Sequence, residues 1–260
     1  MNPMDKIFSN GKAFIPFITA GDPCLSFTEE LILEMAAAGA DLIEIGIPFS
    51  DPIAEGPVIQ AANIRALSNG VTTDQIFEMV RRVRKTCNVP LAFMTYANPV
   101  FSYGIGTFLK NCKTAGINAL IIPDVPFEEH EEFKPLCKEF DISFISMIAP
   151  TSENRIKTIA ESSEGFIYCV SSLGVTGMRN EINGHVEDMV KSVKEVKDIP
   201  CALGFGISNP MQAREKAQYF DGIIVGSAIV NIIADHGLDS IPRVKAFVKE
   251  MKAAINSLSS

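Results

Sequence analysis

Tryptophan is absent from the 260-residue sequence, and patterns that identify several common protein classes are missing as well. No apolar run reaches the roughly 20 residues that span a bilayer, and the first six residues lack the apolar segment of a signal peptide. The six cysteines form no Cys-x-x-Cys pair, so they suit a reducing compartment better than a disulfide framework. We therefore expect a cytoplasmic protein that does not enter a membrane.

Positive charge is also scarce. The chain has 23 lysines and arginines against 31 acidic residues, a formal net charge of -8, and its average field repels nucleic acid and anionic lipid. The densest basic run, residues 81–85, ends a helical pattern, where cations complement the helix C-terminus, and it lacks the interleaved aromatics of a nucleic-acid surface. We expect no nucleic-acid partner, and any anionic ligand must be bound by local groups.

What the sequence does contain is a repeated pattern of short apolar runs rich in β-branched residues, each followed by a longer stretch with helical periodicity. The strand candidates are Ala13 to Thr19, Asp41 to Ile47, Pro90 to Tyr96, Asn118 to Pro123, Ile142 to Ile148, Gly165 to Val170, Pro200 to Gly204 and Gly222 to Val225. Eight βα units predict an α/β protein whose residues 1–260 form a single-domain (β/α)8 TIM barrel, with a short N-terminal helix at about residues 2–10. An open doubly wound sheet is the alternative, but no G-x-G-x-x-G follows any strand candidate.

The second strand candidate carries a carboxylate where barrel enzymes place their active residues, near the C-terminal end of a strand. Period-two alternation puts Glu44 on the face opposite Ile43 and Ile45, so we expect it to point into the barrel. There it loses hydration, which favours the neutral acid and moves the pKa toward the range useful for proton transfer. The alternative is a buried glutamate satisfied by a structural partner.

The loop after this strand, residues 48–57, is long and contains three prolines, one glycine and two further acids. Asp51 precedes Pro52, a pattern typical of an Asx turn. Glu55 has no such structural explanation, so the loop can bring a second carboxylate over the barrel mouth.

Three glycine-containing loops near the end of the chain favour a phosphate site: residues 171–177, 204–208 and 226–227. Glycine lets backbone N–H groups approach an anion closely, and a helix predicted to begin at Ser227 directs its positive end at the same place. Each glycine alone indicates only a turn, whereas three such loops together predict phosphate binding.

Two other chemistries are disfavoured because no strand candidate contains lysine or histidine. A Schiff-base aldolase needs the first residue and a zinc aldolase the second. The acidic cluster around His130 follows Pro126-Phe127 and is predicted to occupy the first turns of a helix, where acids suit the helix dipole. Its spacing matches no metal-ligand motif, and we expect no metal.

Motifs spread over nearly the whole chain closely resemble those of the tryptophan synthase alpha subunit family. The motifs are Pro16-Phe17-Ile18-Thr19-Ala20-Gly21-Asp22-Pro23, the run from Ile43 to Pro52 followed by Glu55-Gly56-Pro57, Tyr96-Ala97-Asn98-Pro99, Asp124-Val125-Pro126, Gly174-Val175-Thr176-Gly177 and Gly204-Phe205-Gly206-Ile207. In combination they are highly specific.

This resemblance implies a lyase of L-tryptophan biosynthesis that cleaves indole-3-glycerol phosphate to indole and glyceraldehyde 3-phosphate. It implies no cofactor on this chain, and a pyridoxal-phosphate beta subunit that receives the indole within an α2β2 heterotetramer. By resemblance, Glu44 would move protons at the indole C3 and the glycerol hydroxyl, and Glu55 would take the indole N–H proton. The active-site loops would be those after the second and sixth strands.

The resemblance also assigns two further sets of residues. The substrate-binding positions are Phe17, Tyr168, Thr176, Gly177, Phe205, Gly206, Gly226 and Ser227. The positions that face the beta subunit are Pro48, Asp51, Asn98, Pro99 and Pro126.

One departure concerns position 55, which is most often aspartate in the family and is glutamate here. The extra methylene changes where the carboxylate sits, and a displacement of roughly 1 Å at a reacting proton can cost on the order of a hundredfold in rate. This departure leaves open a catalytically weak barrel that acts mainly as an allosteric partner of the beta subunit. The glycine loops taken alone would also fit another sugar-phosphate-binding barrel enzyme.

Overall fold

The strands form one parallel sheet that curls around a central axis. A computed structural model describes residues 3–170 and 179–257. Its strands are β1 (Ala13–Thr19), β2 (Ile43–Gly46), β3 (Leu91–Met94), β4 (Ala119–Ile121), β5 (Ser143–Phe144), β6 (Ser146–Ile148), β7 (Ile167–Val170), β8 (Cys201–Gly204) and β9 (Gly222–Val225). They neighbour one another in the order β5-β4-β3-β2-β1-β9-β8-β7-β6, and every pairing is parallel.

The two strands at the ends of this order, β5 and β6, are halves of a single predicted strand separated by Ile145. The first half pairs with β4, and the Ile145 N–H still donates to the Leu120 carbonyl at 3.0 Å. The second half pairs with β7, starting at Ser146 opposite Ile167. The split strand thus joins both ends of the sheet, and the predicted (β/α)8 TIM barrel is confirmed.

Helices surround the barrel and follow the strands in the predicted alternation. They are α1 (Leu25–Ala37), α2 (Pro57–Ser68), α3 (Thr73–Val83), α4 (Ala97–Tyr103), α5 (Ile105–Ala115), α6 (Lys134–Glu139), α7 (Ile156–Ser162), α8 (Arg179–Lys194), α9 (Pro210–Lys216), α10 (Ser227–His236) and α11 (Ile241–Asn256). Short 3-10 helices lie at Pro3–Lys6, within the range predicted for an N-terminal helix, and at Phe127–Glu132, Pro150–Arg155 and Gly237–Ser240.

Local sequence explains where several helices begin and end. Thr72 and Gln75 form a reciprocal capping box at the start of α3, and Asn209 caps α9 just before Pro210. Gly116 ends α5 with a left-handed φ of 90°, a conformation that costs glycine little. Within the described residues, no helix has both the length and the apolar character needed to cross a membrane.

Two apolar layers hold the barrel together. Inward side chains such as Ile15, Leu42 and Ile121 fill the lumen, and the residues between them along the strands, such as Phe14 and Ile43, pack against the helices. This alternation is the period-two pattern of a strand buried on both faces. Because Phe17 pairs with Glu44, and Glu44 with Ala92, one lumen-facing layer contains an acid near the C-terminal rim.

Candidate active site

A cavity opens at the C-terminal ends of the strands, where barrel enzymes carry their active sites. It encloses about 660 Å³ including its open mouth. Its lining residues are Phe17, Glu44, Ala54, Glu55, Gly56, Ile59, Met94, Tyr168, Phe205, Gly206, Ile207, Ile224, Gly226 and Ser227. Both predicted acids and six of the predicted substrate-binding residues therefore surround one space, whereas Thr176 and Gly177 lie outside the described residues.

Glu44 is the innermost polar residue of this cavity. Its side chain belongs to β2 and the residue is 1% exposed, and within the described part of the chain neither carboxylate oxygen has a hydrogen-bond partner. Burial raises the pKa of Glu44 to about 8, and the neighbouring charge of Glu55 adds to the rise. No described residue acts as the structural partner that the alternative interpretation of Glu44 requires.

Glu55 lies on the loop between β2 and α2 and approaches the cavity from its rim. Asn63, on α2, donates its side-chain amide to the Glu55 carboxylate at 2.6 Å, and the Gln60 side-chain amide donates to the Glu55 backbone carbonyl at 2.8 Å. Burial raises the pKa of Glu55, while hydrogen bonding to Asn63 and Tyr96 lowers it. The two carboxylates thus differ in environment: one is isolated and the other is hydrogen-bonded.

Tyr96 stands beside Glu55 at the end of β3 and immediately precedes α4. Its hydroxyl accepts a hydrogen bond from the Ala54 backbone N–H at 3.3 Å, and its ring lies 5.4 Å from that of Phe49. Burial and the charge of Glu55 raise the pKa of Tyr96, so the phenol keeps its proton at neutral pH.

Two aromatic rings occupy the cavity because glycines leave room for them. A Cβ on Gly46 would lie 2.7 Å from the Phe17 ring, and one on Gly226 would lie 3.2 Å from it. A Cβ on Gly204 would overlap the ring of Tyr168. With Ile59, Met94 and Ile224 these rings form apolar walls that suit a flat aromatic ligand.

The opposite side of the cavity presents backbone rather than charge. Phe205 and Gly206 both adopt positive φ angles, 74° and 77°, which is uncommon for phenylalanine. Helix α10 begins at Ser227 next to Gly226, and no side chain caps this N-terminus. The lining residues that the structure describes include no lysine, arginine or histidine, whereas the backbone N–H groups here and the dipole of α10 can bind an anion.

Comparison with known proteins shows which family this barrel resembles. A family model described as "Tryptophan synthase alpha chain" matches residues 5–256. The tryptophan synthase alpha chain of Lacticaseibacillus casei is 43% identical over 257 residues, covering 99% of this chain and 97% of that protein. That of Petrotoga mobilis is 44% identical over 256 residues, covering 97% and 99%.

The chain belongs to the tryptophan synthase alpha chain family.

Solved structures agree with this assignment. Tryptophan synthase subunit alpha from Legionella pneumophila str. Paris superposes with a TM-score of 0.90 at 34% identity, covering 99% of both chains. A chain described in work on mutual activation of the tryptophan synthase a2b2 complex from Pyrococcus furiosus gives 0.86 at 34% identity, covering 94% of this chain and 99% of that one. The family resemblance inferred from the sequence motifs is confirmed.

The residues predicted to face a beta subunit lie on one part of the rim. Pro48 and Asp51 are in the loop after β2, Asn98 and Pro99 begin α4 after β3, and Pro126 follows β4. Asp51, Asn98 and Pro126 are exposed. Two large apolar side chains are exposed in the same segments: Ile53, in the loop after β2, is 79% exposed, and Phe101, in α4, is 47% exposed.

The acidic cluster after Pro126 has a structural explanation. Glu128 pairs with Arg155 at 2.9 Å, and His130 is buried between the rings of Phe127 and Phe144, at centroid distances of 5.3 and 4.9 Å. Among the described residues, no group of three or more histidine, cysteine or acidic side chains is arranged to hold a metal.

Two residues that contact Glu55 were not predicted from the sequence. Asn63 is buried on α2 and faces inward with Ile59, Ala62 and Ala66, so its signal was a single amide on an otherwise apolar stripe. Tyr96 belongs to the motif Tyr96-Ala97-Asn98-Pro99, just after β3. Its contact with the loop after β2 depends on how neighbouring βα units pack, so no local sequence pattern predicts it.

Proposed function

We propose that this chain cleaves indole-3-glycerol phosphate to indole and glyceraldehyde 3-phosphate, with Glu44 and Glu55 as its proton-transfer groups. Family membership supports the reaction, which is the alpha reaction of tryptophan synthase and a step of L-tryptophan biosynthesis. The family performs it without a cofactor, and pyridoxal phosphate belongs to the beta subunit. The observation that carries the residue assignment is the buried carboxylate of Glu44, which no described residue hydrogen-bonds and which faces the same cavity as Glu55.

Breaking a carbon–carbon bond needs somewhere for the bonding electron pair to go. No described residue that lines the cavity is a lysine able to form a Schiff base, but an indole ring protonated at C3 can accept the pair. A Glu44 whose pKa is about 8 is mostly neutral at pH 7, so it has the proton that C3 requires. The resulting carboxylate can then accept the proton of the glycerol hydroxyl as that carbon becomes the aldehyde.

Glu55 accepts the proton of the indole nitrogen. Removing that proton from the C3-protonated ring gives an indolenine, whose C=N bond accepts the electron pair when the carbon–carbon bond breaks. The nitrogen then recovers a proton, and indole leaves. Hydrogen bonding to Asn63 and Tyr96 favours the ionised form of Glu55, as a proton acceptor requires.

The remaining predicted residues bind the two ends of the substrate. Phe17 and Tyr168 offer apolar faces to the indole ring. Gly206, Gly226 and Ser227 surround the position where the phosphate would meet the N-terminus of α10. Roles for Phe205, Thr176 and Gly177 in the same binding stay predictions from the family motifs.

The partner of this chain is a tryptophan synthase beta subunit, with which the family forms an α2β2 complex. We propose that Pro48, Asp51, Asn98, Pro99 and Pro126 contact it. Pro48 and Asp51 share the loop after β2 with Glu55, which supports this, since binding there would affect the loop that carries the acid. A cytoplasmic location, one domain over residues 1–260, and the role of the loops after the second and sixth predicted strands as active-site loops remain predictions of the sequence; residues 171–178 of the latter loop lie outside the described residues.

Indole release from indole-3-glycerol phosphate by the purified chain, with and without a beta subunit, tests the function. We expect Glu44→Gln and Glu55→Gln each to lower kcat by about 10²- to 10⁴-fold, the usual contribution of a positioned acid or base. Inhibition by glycerol 3-phosphate should stay near the wild-type value. The exposed Glu30 on α1 supplies a control, Glu30→Gln. No indole from the wild type under either condition would exclude the lyase function.

The glutamate at position 55 favours one second candidate, a weakly catalytic chain that serves mainly to activate the beta subunit. Glu55→Asp separates the two. A gain in cleavage of orders of magnitude, with activation of the beta subunit unchanged, would identify the natural chain as mainly a regulator. A change of less than about tenfold would identify an enzyme adapted to glutamate.

A further inference from the structure

The segment that carries Glu55 is attached to two different βα units. Asn63 and Gln60 hold it from α2, the helix that the segment itself leads into. Tyr96 contacts it from the next unit, at the junction of β3 and α4, through the Ala54 N–H. Tyr96 therefore links the acid-bearing loop to a strand of the barrel wall.

Tyr96 is itself held in place. The residue is 1% exposed, and its ring packs against Phe49 in the first part of the same loop. The next residue, Ala97, donates its backbone N–H to the Asp124 carboxylate at 3.0 and 3.2 Å to the two oxygens. A hydroxyl on so fixed a ring has a defined position.

The polarity of the hydroxyl suits an ionised Glu55. Its oxygen accepts the Ala54 N–H, which leaves the phenolic hydrogen free for the neighbouring carboxylate. Hydrogen bonding from Tyr96 lowers the pKa of Glu55 and so opposes the effect of burial. Asp124 is a further acid near this pair, and its charge adds to the rise in the pKa of Tyr96, so the phenol keeps the hydrogen that it donates.

We propose that Tyr96 is a positioning residue for Glu55, whose hydroxyl fixes the Ala54–Glu55 segment and hydrogen-bonds the carboxylate so that it stays ionised and in place. The longer side chain of glutamate makes such a contact more consequential, because it has one more rotatable bond to restrain. This inference rests on the proposed function, in which Glu55 accepts the indole N–H proton.

Tyr96→Phe keeps the ring that packs on Phe49 and removes only the hydroxyl. We expect kcat for indole release to fall about 10- to 100-fold with KM nearly unchanged, because a small displacement of a reacting group costs rate rather than binding. The acidic limb of the pH–rate profile should also move to higher pH, since Glu55 loses a donor that favours its ionised form.

Tyr103→Phe is the matched control. Tyr103 ends α4, donates its hydroxyl to Asp74 and accepts from Asn111 at 2.8 Å, and does not line the cavity. This variant also loses a phenol with two hydrogen-bond partners, so it reports any general loss of stability. We expect its acidic limb and kcat to match the wild type.

A double variant tests whether Tyr96 acts through Glu55. In a Glu55→Gln background, Tyr96→Phe should change kcat by less than twofold, because the group it positions is already lost. An equal loss in both backgrounds, or an unshifted acidic limb in Tyr96→Phe, would overturn the positioning role. That failure is distinct from failure of the proposed function, in which the wild type itself would release no indole.

Discussion

The buried carboxylate of Glu44, which no described residue hydrogen-bonds, should lower the stability of this barrel as the pH rises, and Glu44→Gln should remove that contribution. Burial raises the pKa of Glu44 from the ordinary 4.5 to about 8, so the folded protein holds a proton that the unfolded chain releases. Ionisation therefore favours the unfolded state. The penalty is absent below pH 4.5, grows as the pH rises, and is complete above pH 8.

The size of the effect follows from the two pKa values. Each pKa unit is worth about 1.4 kcal/mol, so a rise from 4.5 to about 8 lowers the free energy of unfolding by about 5 kcal/mol once Glu44 is ionised in both states. Between about pH 5 and about pH 9 the penalty should grow by about 4 kcal/mol. That is a large part of the stability of an ordinary domain, which lies at about 5–15 kcal/mol.

Urea unfolding of the wild type and Glu44→Gln over this pH range measures the effect. A buried glutamine amide has its own cost, but that cost does not vary with pH, so the informative quantity is the change in the difference between the two proteins. Glu30→Gln, at an exposed position of α1, should leave the pH dependence of wild-type stability unaltered. If the wild type and Glu44→Gln keep a constant difference from about pH 5 to about pH 9, Glu44 is hydrated or paired in solution and the reasoning is wrong.

Three other outcomes are expected. kcat/KM for indole release should fall above about pH 8, as Glu44 loses the proton that it donates, and a pH–rate profile would measure this. Gly204→Ala should raise KM and cost about 1–3 kcal/mol in urea unfolding, because a Cβ there overlaps the Tyr168 ring, whereas Gly106→Ala, in open space, should not. Asp22→Asn should cost about 1–3 kcal/mol in urea unfolding, because this buried carboxylate binds an arginine of α2 through two contacts of 2.7 Å.

The sequence predicted β1 and β9 with their observed bounds, but it extended the other strands by one or two residues at one or both ends. Leu42 and Ile47 illustrate why. Both are buried, so their hydrophobicity is that of a strand, yet they lie just outside the bounds of β2, Ile43–Gly46. Hydrophobic pattern reports burial, whereas strand bounds depend on the neighbouring strands.

The break at Ile145 could not be predicted for the same reason. Residues 142–148 form one strand candidate in the sequence, with two serines among five apolar residues. The run divides because its first half pairs with β4 and its second half with β7, which is a property of closing the sheet. Nothing in the local composition marks the residue at which the partner changes.

The candidate site shows the same division between local and non-local information. The position of Glu44 was predictable, because alternation along a single strand determines which side chains enter the barrel. The hydrogen bond from Asn63 to Glu55 spans eight residues, and that from Ala54 to Tyr96 spans 42. The second contact depends on the packing of two adjacent βα units, so single-strand periodicity carries no information about it.

A structural role alone does not explain why a glutamate occupies position 44. The lumen around it is filled by residues such as Ile15, Leu42 and Met94, and an apolar side chain of similar size would pack there without the cost of desolvating a carboxylate. The described residues supply no hydrogen bond that would offset this cost. The same isolation gives the acid a proton to donate near neutral pH. Stability lost at this position is thus the direct physical counterpart of its capacity for proton transfer, and one substitution tests both.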